Sequence, residues 1–485
     1  MTDLATPTSR GPRGADAPGV GPTGAAAPTP RTDTHCAYCG LQCAMTLSGS
    51  TAADVTVAPR RFPTNRGGLC QKGWTSAELL RHPARLTVPL VRRGGELVET
   101  TWDDALDIVA RGIAATQEAY GRDGVALFGG GGLTNEKAYQ LGRFARVGLR
   151  TSQVDYNGRW CMSSAAAAGI RCFGLDRGLP FPVTDVGSAH AVLLLGANPA
   201  ETMPPFLTHL VRAADHGGLM VADPRLTPTA AKALDGGGLH LQLRPGTDAA
   251  LALGMVHLAV TEGYADREYI ASRTTGFEEL WAVAAQWLPE RAERVTGVAA
   301  ASMRAAVRAL ARARDTERGA YVLSARGGEQ HATGTDTVTA FIALALVLGL
   351  PGNPGTGFGT ITGQGNGQGG REHGQKADQL PATARSTTRP PGPTWPRSGA
   401  WTQPRCPVRG AAPSSCSTRS APRAVPAPSS CTAPTPSCRR PTRRALQNGS
   451  APSTCSSCAT SSCPRPPPSP TSCCRCSSGP RRRAP

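Results

Sequence analysis

The sequence predicts an α/β fold built on a doubly wound parallel sheet. Two observations predict it. Short apolar runs, "GVALFGGGG" (124–132), "AVLLLGANPAE" (191–201), "GLMVADPR" (218–225) and "AYVLSARGG" (320–328), each lead into a glycine or polar turn. Amphipathic helical patterns lie between them, including 249–262 and 300–313. The runs lack the apolar–polar alternation of a half-exposed strand, so each reads as a buried strand covered on both faces, the habit of parallel sheets. Ligands of such sheets sit beyond the carboxyl ends of the strands, where these turns lie.

Taken in order, residues 1–33 are Ala, Pro, Gly and Thr with scattered charge and read as a disordered leader without an export signal. Residues 34–92 form a short, turn-rich, cysteine-bearing domain, and 93–380 form the α/β body. At 103–120 the spacing predicts a helix whose apolar face holds Leu106, Ile108, Val109 and Ile113. The glycine-rich polar stretch 351–376 reads as a long structureless loop of the kind that is functional when it occurs inside a compact domain. No apolar run is long enough to span a membrane. The chain therefore reads as cytoplasmic, with no membrane partner.

The 485 residues carry a formal charge of +18 and 16 cysteines, but neither is spread evenly. Residues 381–485 hold 16 Arg, no Lys, Asp or Glu, 22 Pro and 10 Cys, leaving +2 for the other 380 residues. The only branched aliphatics there are Val408, Val425 and Leu446, too few to offset the entropy of ordering. A basic nucleic-acid tail, a disulfide-stapled module and a frameshift product remain the alternatives. The last is expected, because GC-rich back-translation of 382–395 gives a neighbouring frame of ordinary soluble-protein composition. A near-neutral body carries no expectation of nucleic-acid binding.

Four body cysteines stand as Cys36-x2-Cys39-x3-Cys43-x26-Cys70. Three thiolates within eight residues plus a distant fourth suit a [4Fe–4S] cube. Zinc, which more often takes two CxxC knuckles, and purely structural cysteines are the alternatives. Cys161, between a loop and an Ala-rich helix, is either a packing residue or a thiolate near a helix N-terminus suited to metal ligation. Cys172 reads as packing. The turns offer Asn198 with Glu201, Asp223 with Arg225, and Gly246 with Asp248, groups suited to a nucleotide. No GxGxxG or GxxxxGK[ST] string is present, so simple NAD or ATP sites are unsupported.

The strings "CAYCGLQC", "GLCQKG", "YNGRWCMSSAAAA", "LLLGANPAE", "VADPR", "RPGTD" and "ARGGEQHATGTDT", spread from about Thr34 to Leu380, resemble the molybdopterin oxidoreductase family. Within it the chain looks most like the assimilatory nitrate reductases of the cytoplasm. In formate dehydrogenases the metal-ligating Cys or selenocysteine is typically followed by His; here Met162 follows Cys161.

The resemblance implies two cofactors, a [4Fe–4S] cluster and molybdenum bis-molybdopterin guanine dinucleotide. Cys36, Cys39, Cys43 and Cys70 would hold the cluster, Lys72 would lie between cluster and pterin, and Cys161 would ligate molybdenum. Asn157, Gly196, Asn198, Glu201, Asp223, Arg225, Gly246 and Asp248 would hold the cofactor. Gln330 and Arg371 would face the substrate, with Gln364 in the same glycine-rich loop. The implied reaction is oxygen-atom transfer from nitrate, giving nitrite. Electrons would come from ferredoxin, flavodoxin or an NADH-oxidising subunit. A formate dehydrogenase-like enzyme and a non-catalytic iron–sulfur carrier are the alternatives. Family members continue past Leu380 into more α/β body and a C-terminal β-barrel, so the chain as written is expected to be inactive.

Overall fold

The computed structural model describes residues 29–383, all within one unit of the chain. Most of the expected leader and nearly all of the expected frameshifted tail therefore lie outside the described residues. Residues 31–33, counted in the expected leader, are part of a strand. Arg31–His35 form strand β1, which pairs antiparallel with β2 (Ala44–Ser48), itself paired with β3 (Thr56–Pro59). Asp33 accepts a 2.6 Å hydrogen bond from Thr46 Oγ1, a cross-strand tie invisible to composition. This small sheet flanks the cysteine loop. A hairpin follows, β4 (Leu90–Arg93) with β5 (Glu96–Glu99), and then a parallel pair, β6 (Leu127–Gly129) with β7 (Val154–Tyr156).

The centre is a five-stranded parallel sheet of β8 (Ala191–Leu195), β9 (Leu219–Ala222), β10 (Leu239–Leu241), β11 (Ala320–Ser324) and β12 (Thr356–Thr360). Its spatial order is β10-β9-β8-β11-β12. The chain winds outward from β8 on one side and returns to β11 on the other, which is the doubly wound arrangement the sequence predicts. Leu195, Ala222 and Ser324 stand level in register, so the turns after β8, β9 and β11 open side by side. The topological switch point lies between β8 and β11.

Both faces of this sheet are covered. Leu193, Leu195 and Met220 pack on one side against helices Asp248–Thr261, Ala300–Asp315 and Gly334–Val347. Val192, Leu194, Val221 and Leu323 pack on the other against Phe206, Leu210, Ala230 and Ala233. Cys36, Leu41, Cys43 and Met45 belong to this second core, so the cysteine loop is seated on the sheet's own hydrophobic layer.

Three expectations need correction. The stretch 351–376 is not structureless: it contains buried strand β12 and the helix Gly367–Glu372. The strand's glycines are what made it look like a loop. A Cβ on Gly357 or Gly359 would collide with Phe181 or Leu179, which lie flat against that strand. The run 124–132 yields only the three residues of β6, and Phe128 is 54% exposed rather than buried. The helix expected at 103–120 forms as Trp102–Tyr120, capped by Thr101, but none of its residues is buried. Periodicity makes a helix amphipathic; only a tertiary neighbour covers its apolar face, and here Ile113 and Gln117 are half-buried while Leu106, Ile108 and Val109 stay exposed.

Candidate functional site

The four predicted cluster cysteines lie near enough to influence one another electrostatically. All are free thiols, Cys36 and Cys43 buried, Cys39 and Cys70 half-buried. Cys36 N donates to Cys43 O at 2.8 Å, closing the loop on itself. Burial pushes the Cys43 thiol up to about 12, helped by the thiols of Cys39, Cys36 and Cys70. Burial also pushes Cys39 up, partly countered by the charge of Lys72. As thiolates the four would repel one another, and the iron of a cube would supply the compensating positive charge, so the donor types fit the cluster. Among the described residues no three His, Cys, Asp or Glu side chains, these cysteines included, are grouped closely enough to hold a metal ion as they stand.

Lys72 lies in the short helix Gln71–Trp74 that follows Cys70. Its Nζ donates to Thr202 O at 2.9 Å, reaching from the cysteine segment to the turn after β8. That turn holds Asn198, whose Oδ1 accepts from Thr229 Oγ1 at 2.7 Å and whose amide donates to Glu201. Glu201 in turn lies 3.9 Å from Arg225 in the turn after β9, where Asp223 Oδ1 accepts from Arg225 N at 2.9 Å. Asp248 begins the helix after β10 and is buried, which pushes its carboxyl up; His331, 4.0 Å away after β11, partly offsets this. Turns from four strands therefore line one crevice. Gly196 lies at its base with φ of +55°, and a Cβ there would stand 2.5 Å from Gly327 C. Gly327 N donates to Gly196 O at 3.0 Å, so the two backbones touch at the switch point. Gly246, with φ of +79°, makes the turn into Asp248. The polar groups and the side-chain-free floor fit a dinucleotide.

Cys161 closes the single helical turn Gly158–Cys161, half-buried. Gln330 Nε2 donates to Cys161 O at 3.3 Å, so the two predicted residues do meet. Asn157 Oδ1 accepts from Gly131 N at 2.8 Å, and its amide donates to Gln364 of the glycine-rich loop. Arg371 behaves differently from the expectation. It is 3% exposed, ion-paired with Asp176 and bonded to Gln368, because a guanidinium in the interior needs a carboxylate. It does not stand free to meet a substrate.

Sequence reasoning missed Arg326 and Glu329. Arg326 Nη1 donates to Cys161 O at 3.2 Å and lies 3.9 Å from Cys161 Sγ. Arg326 is also ion-paired with Glu329, a carboxylate 1% exposed. Glu329 Oε2 accepts from Ala165 N at 2.7 Å, in the first turn of helix Ser163–Phe173. Burial raises the Glu329 carboxyl, and Arg326 pulls it back. The available signal was a polar string directly after a buried strand.

Four neighbouring cysteines beside a parallel sheet whose polar turns open at the switch point suit a redox protein of the iron–sulfur class. Residues 29–82 match the molybdopterin oxidoreductase Fe4S4 domain, and residues 85–409 match molybdopterin oxidoreductase. The chain belongs to the molybdopterin oxidoreductase family. It is 42% identical over 354 residues to the assimilatory nitrate reductase catalytic subunit of Bacillus subtilis (strain 168), covering 72% of this chain and 49% of that one. It is 34% identical over 350 residues to the F420-dependent formate dehydrogenase 2 subunit alpha of Methanococcus maripaludis, covering 72% and 50%. Acetylene hydratase from Pelobacter acetylenicus shares the fold, with a TM-score of 0.57 at 21% identity over 65% of this chain and 43% of that one. The chain spans about half the length of the curated relatives it matches. No helix among the described residues is long and apolar enough to cross a membrane.

Proposed function

We propose that the chain carries the cluster and cofactor-binding half of a molybdenum-dependent nitrate reductase. The observation that carries the reading is the Cys161 turn, held by Arg326 and Gln330 beside the crevice and followed by Met162. Bound molybdenum would supply two-electron oxygen-transfer chemistry, and the cluster one-electron storage. The chain's own residues do the rest. Cys36, Cys39, Cys43 and Cys70 hold the cluster, and Lys72 spans from it to the turn after β8. Asn157, Gly196, Asn198, Glu201, Asp223, Arg225, Gly246 and Asp248 hold the dinucleotides, and Cys161 offers its thiolate to the metal. Arg326 places a fixed cation beside that thiolate, where an anionic substrate arrives, and Gln330 adds an amide donor. Met162 is 4% exposed and has no exchangeable side-chain proton, which suits oxygen transfer better than C–H cleavage. Six free cysteines among the described residues suit a reducing, cytoplasmic setting. Ferredoxin, flavodoxin or an NADH-oxidising subunit would supply the electrons.

Expression of the full chain in a molybdenum-cofactor-producing host tests this. Molybdenum should co-purify with the unmodified chain and be lost from Cys161→Ser. Nitrite formation from nitrate with a chemical reductant should accompany the bound molybdenum and be lost with it. Formate oxidation in place of nitrate reduction would favour the formate dehydrogenase reading instead.

A further inference from the structure

The glycine-rich residues 362–366 lie between the two redox loops and touch both. On the cluster side, Gly40 N donates to Gly363 O at 3.0 Å, and Gln42 Nε2 donates to Gly365 O across 323 residues of sequence. The approach is backbone to backbone: a Cβ on Gly40 would stand 2.5 Å from Thr362 Oγ1 and 2.6 Å from Thr362 O, and one on Gly365 would strike the Ala37 carbonyl. On the other side, Asn366 N donates to Gly131 O at 2.6 Å and Asn366 Nδ2 to Leu133 O at 2.7 Å. Gln364 accepts from Asn157, four residues before Cys161. Gln42 has φ of +49°, a left-handed conformation that a non-glycine residue adopts only when its surroundings hold it there. It stands between Leu41 and the ligand Cys43, inside the cluster loop itself.

We propose that residues 362–366 are a strap that positions the cluster loop, with Gln42 as its anchor on the cluster side and Asn366 on the body side. Cluster retention then depends on a segment remote in sequence, and the cysteine loop is completed only when the α/β body has folded around it. Losing a group that holds metal ligands in place by hydrogen bonding typically costs about 10–100-fold in metal affinity. Gln42 is a positioning residue in this sense: its amide is spent on Gly365, not on iron.

The test uses the full chain with its cluster reconstituted, and reads the rate of loss of visible charge-transfer absorbance under a chelator in air. Gln42→Gly removes the anchor while keeping the left-handed backbone accessible. Asn366→Ala removes the side-chain bond to Leu133 O and leaves the backbone bond to Gly131 O, so it weakens the strap's hold on the body without touching the cluster loop. Each variant should lose its cluster roughly tenfold faster than the unmodified chain, the lower range for loss of a supporting partner, with circular dichroism and the thermal midpoint of the cluster-free chain unchanged. Cluster loss at the unmodified rate in either variant overturns the proposal. The Asn366 variant is the sharper arm, because a purely local role for Gln42 would leave it unaffected.

Discussion

Replacing Arg326 by Gln tests how the Cys161 turn is held. Glu329 is 1% exposed, and apart from the Ala165 amide its partner is Arg326. Removing the guanidinium leaves a buried carboxylate uncompensated, which costs about 3–5 kcal/mol. Glu329→Gln alone strands a cation that is 20% exposed and partly solvated, so the loss should be smaller, about 1–3 kcal/mol. The double variant removes both charges and keeps the shape, so it should be more stable than Arg326→Gln alone. The effect depends on pH with a definite sign. A carboxyl raised above its ordinary value is stabilising below that value and loses its contribution as pH rises through the folded-state pKa. Without Arg326 the Glu329 carboxyl rises further, so the deficit of Arg326→Gln should grow as pH rises from within the ordinary carboxylate range to neutrality. Urea unfolding of the full chain at both ends of that pH span, arranged as a double-mutant cycle, measures both effects. Equal midpoints for Arg326→Gln and the double variant, or a deficit indifferent to pH, would refute the pairing.

The switch point and the seat of the cysteine segment make two further predictions. Gly196→Ala combines a left-handed backbone at φ +55° with a Cβ 2.5 Å from Gly327 C, and should destabilise by about 2–5 kcal/mol in urea unfolding. Gly132→Ala, where a Cβ meets nothing within 4 Å, is the matched control and should change stability by less than about 0.5 kcal/mol. His209 is fully buried, with Nε2 2.9 Å from Thr64 O and Nδ1 without a partner, and burial holds its pKa below the ordinary value. Its contribution is therefore intact above the ordinary value and lost as pH falls through the folded-state pKa, at up to about 1.4 kcal/mol per pH unit. A thermal midpoint that declines below about pH 6.5 in the unmodified chain, and declines less in His209→Gln, is the expected outcome.

What the sequence determined by itself was local chemistry and strand character. The thiol spacing of Cys36, Cys39, Cys43 and Cys70, the buried runs that became β8, β9 and β11, and the polar turns after them were legible because each is encoded within a few neighbouring residues. Tertiary structure decided what depends on partners distant in the chain. Strand β12 was hidden because its glycines are defined by Phe181 and Leu179 lying against them. Arg371 went to Asp176 because burial left it no other counter-charge, while Arg326 reached Cys161 because the helix Ser163–Phe173 after Cys161 packs against the helix Gly334–Val347 after Arg326. The same string "GQGNGQGG" that read as a flexible loop is fixed between two redox loops by hydrogen bonds to residues more than two hundred positions away. Spacing along a chain reports which groups are available. Only the packed sheet fixes which of them meet, because burial leaves each polar group few partners and decides which one it takes.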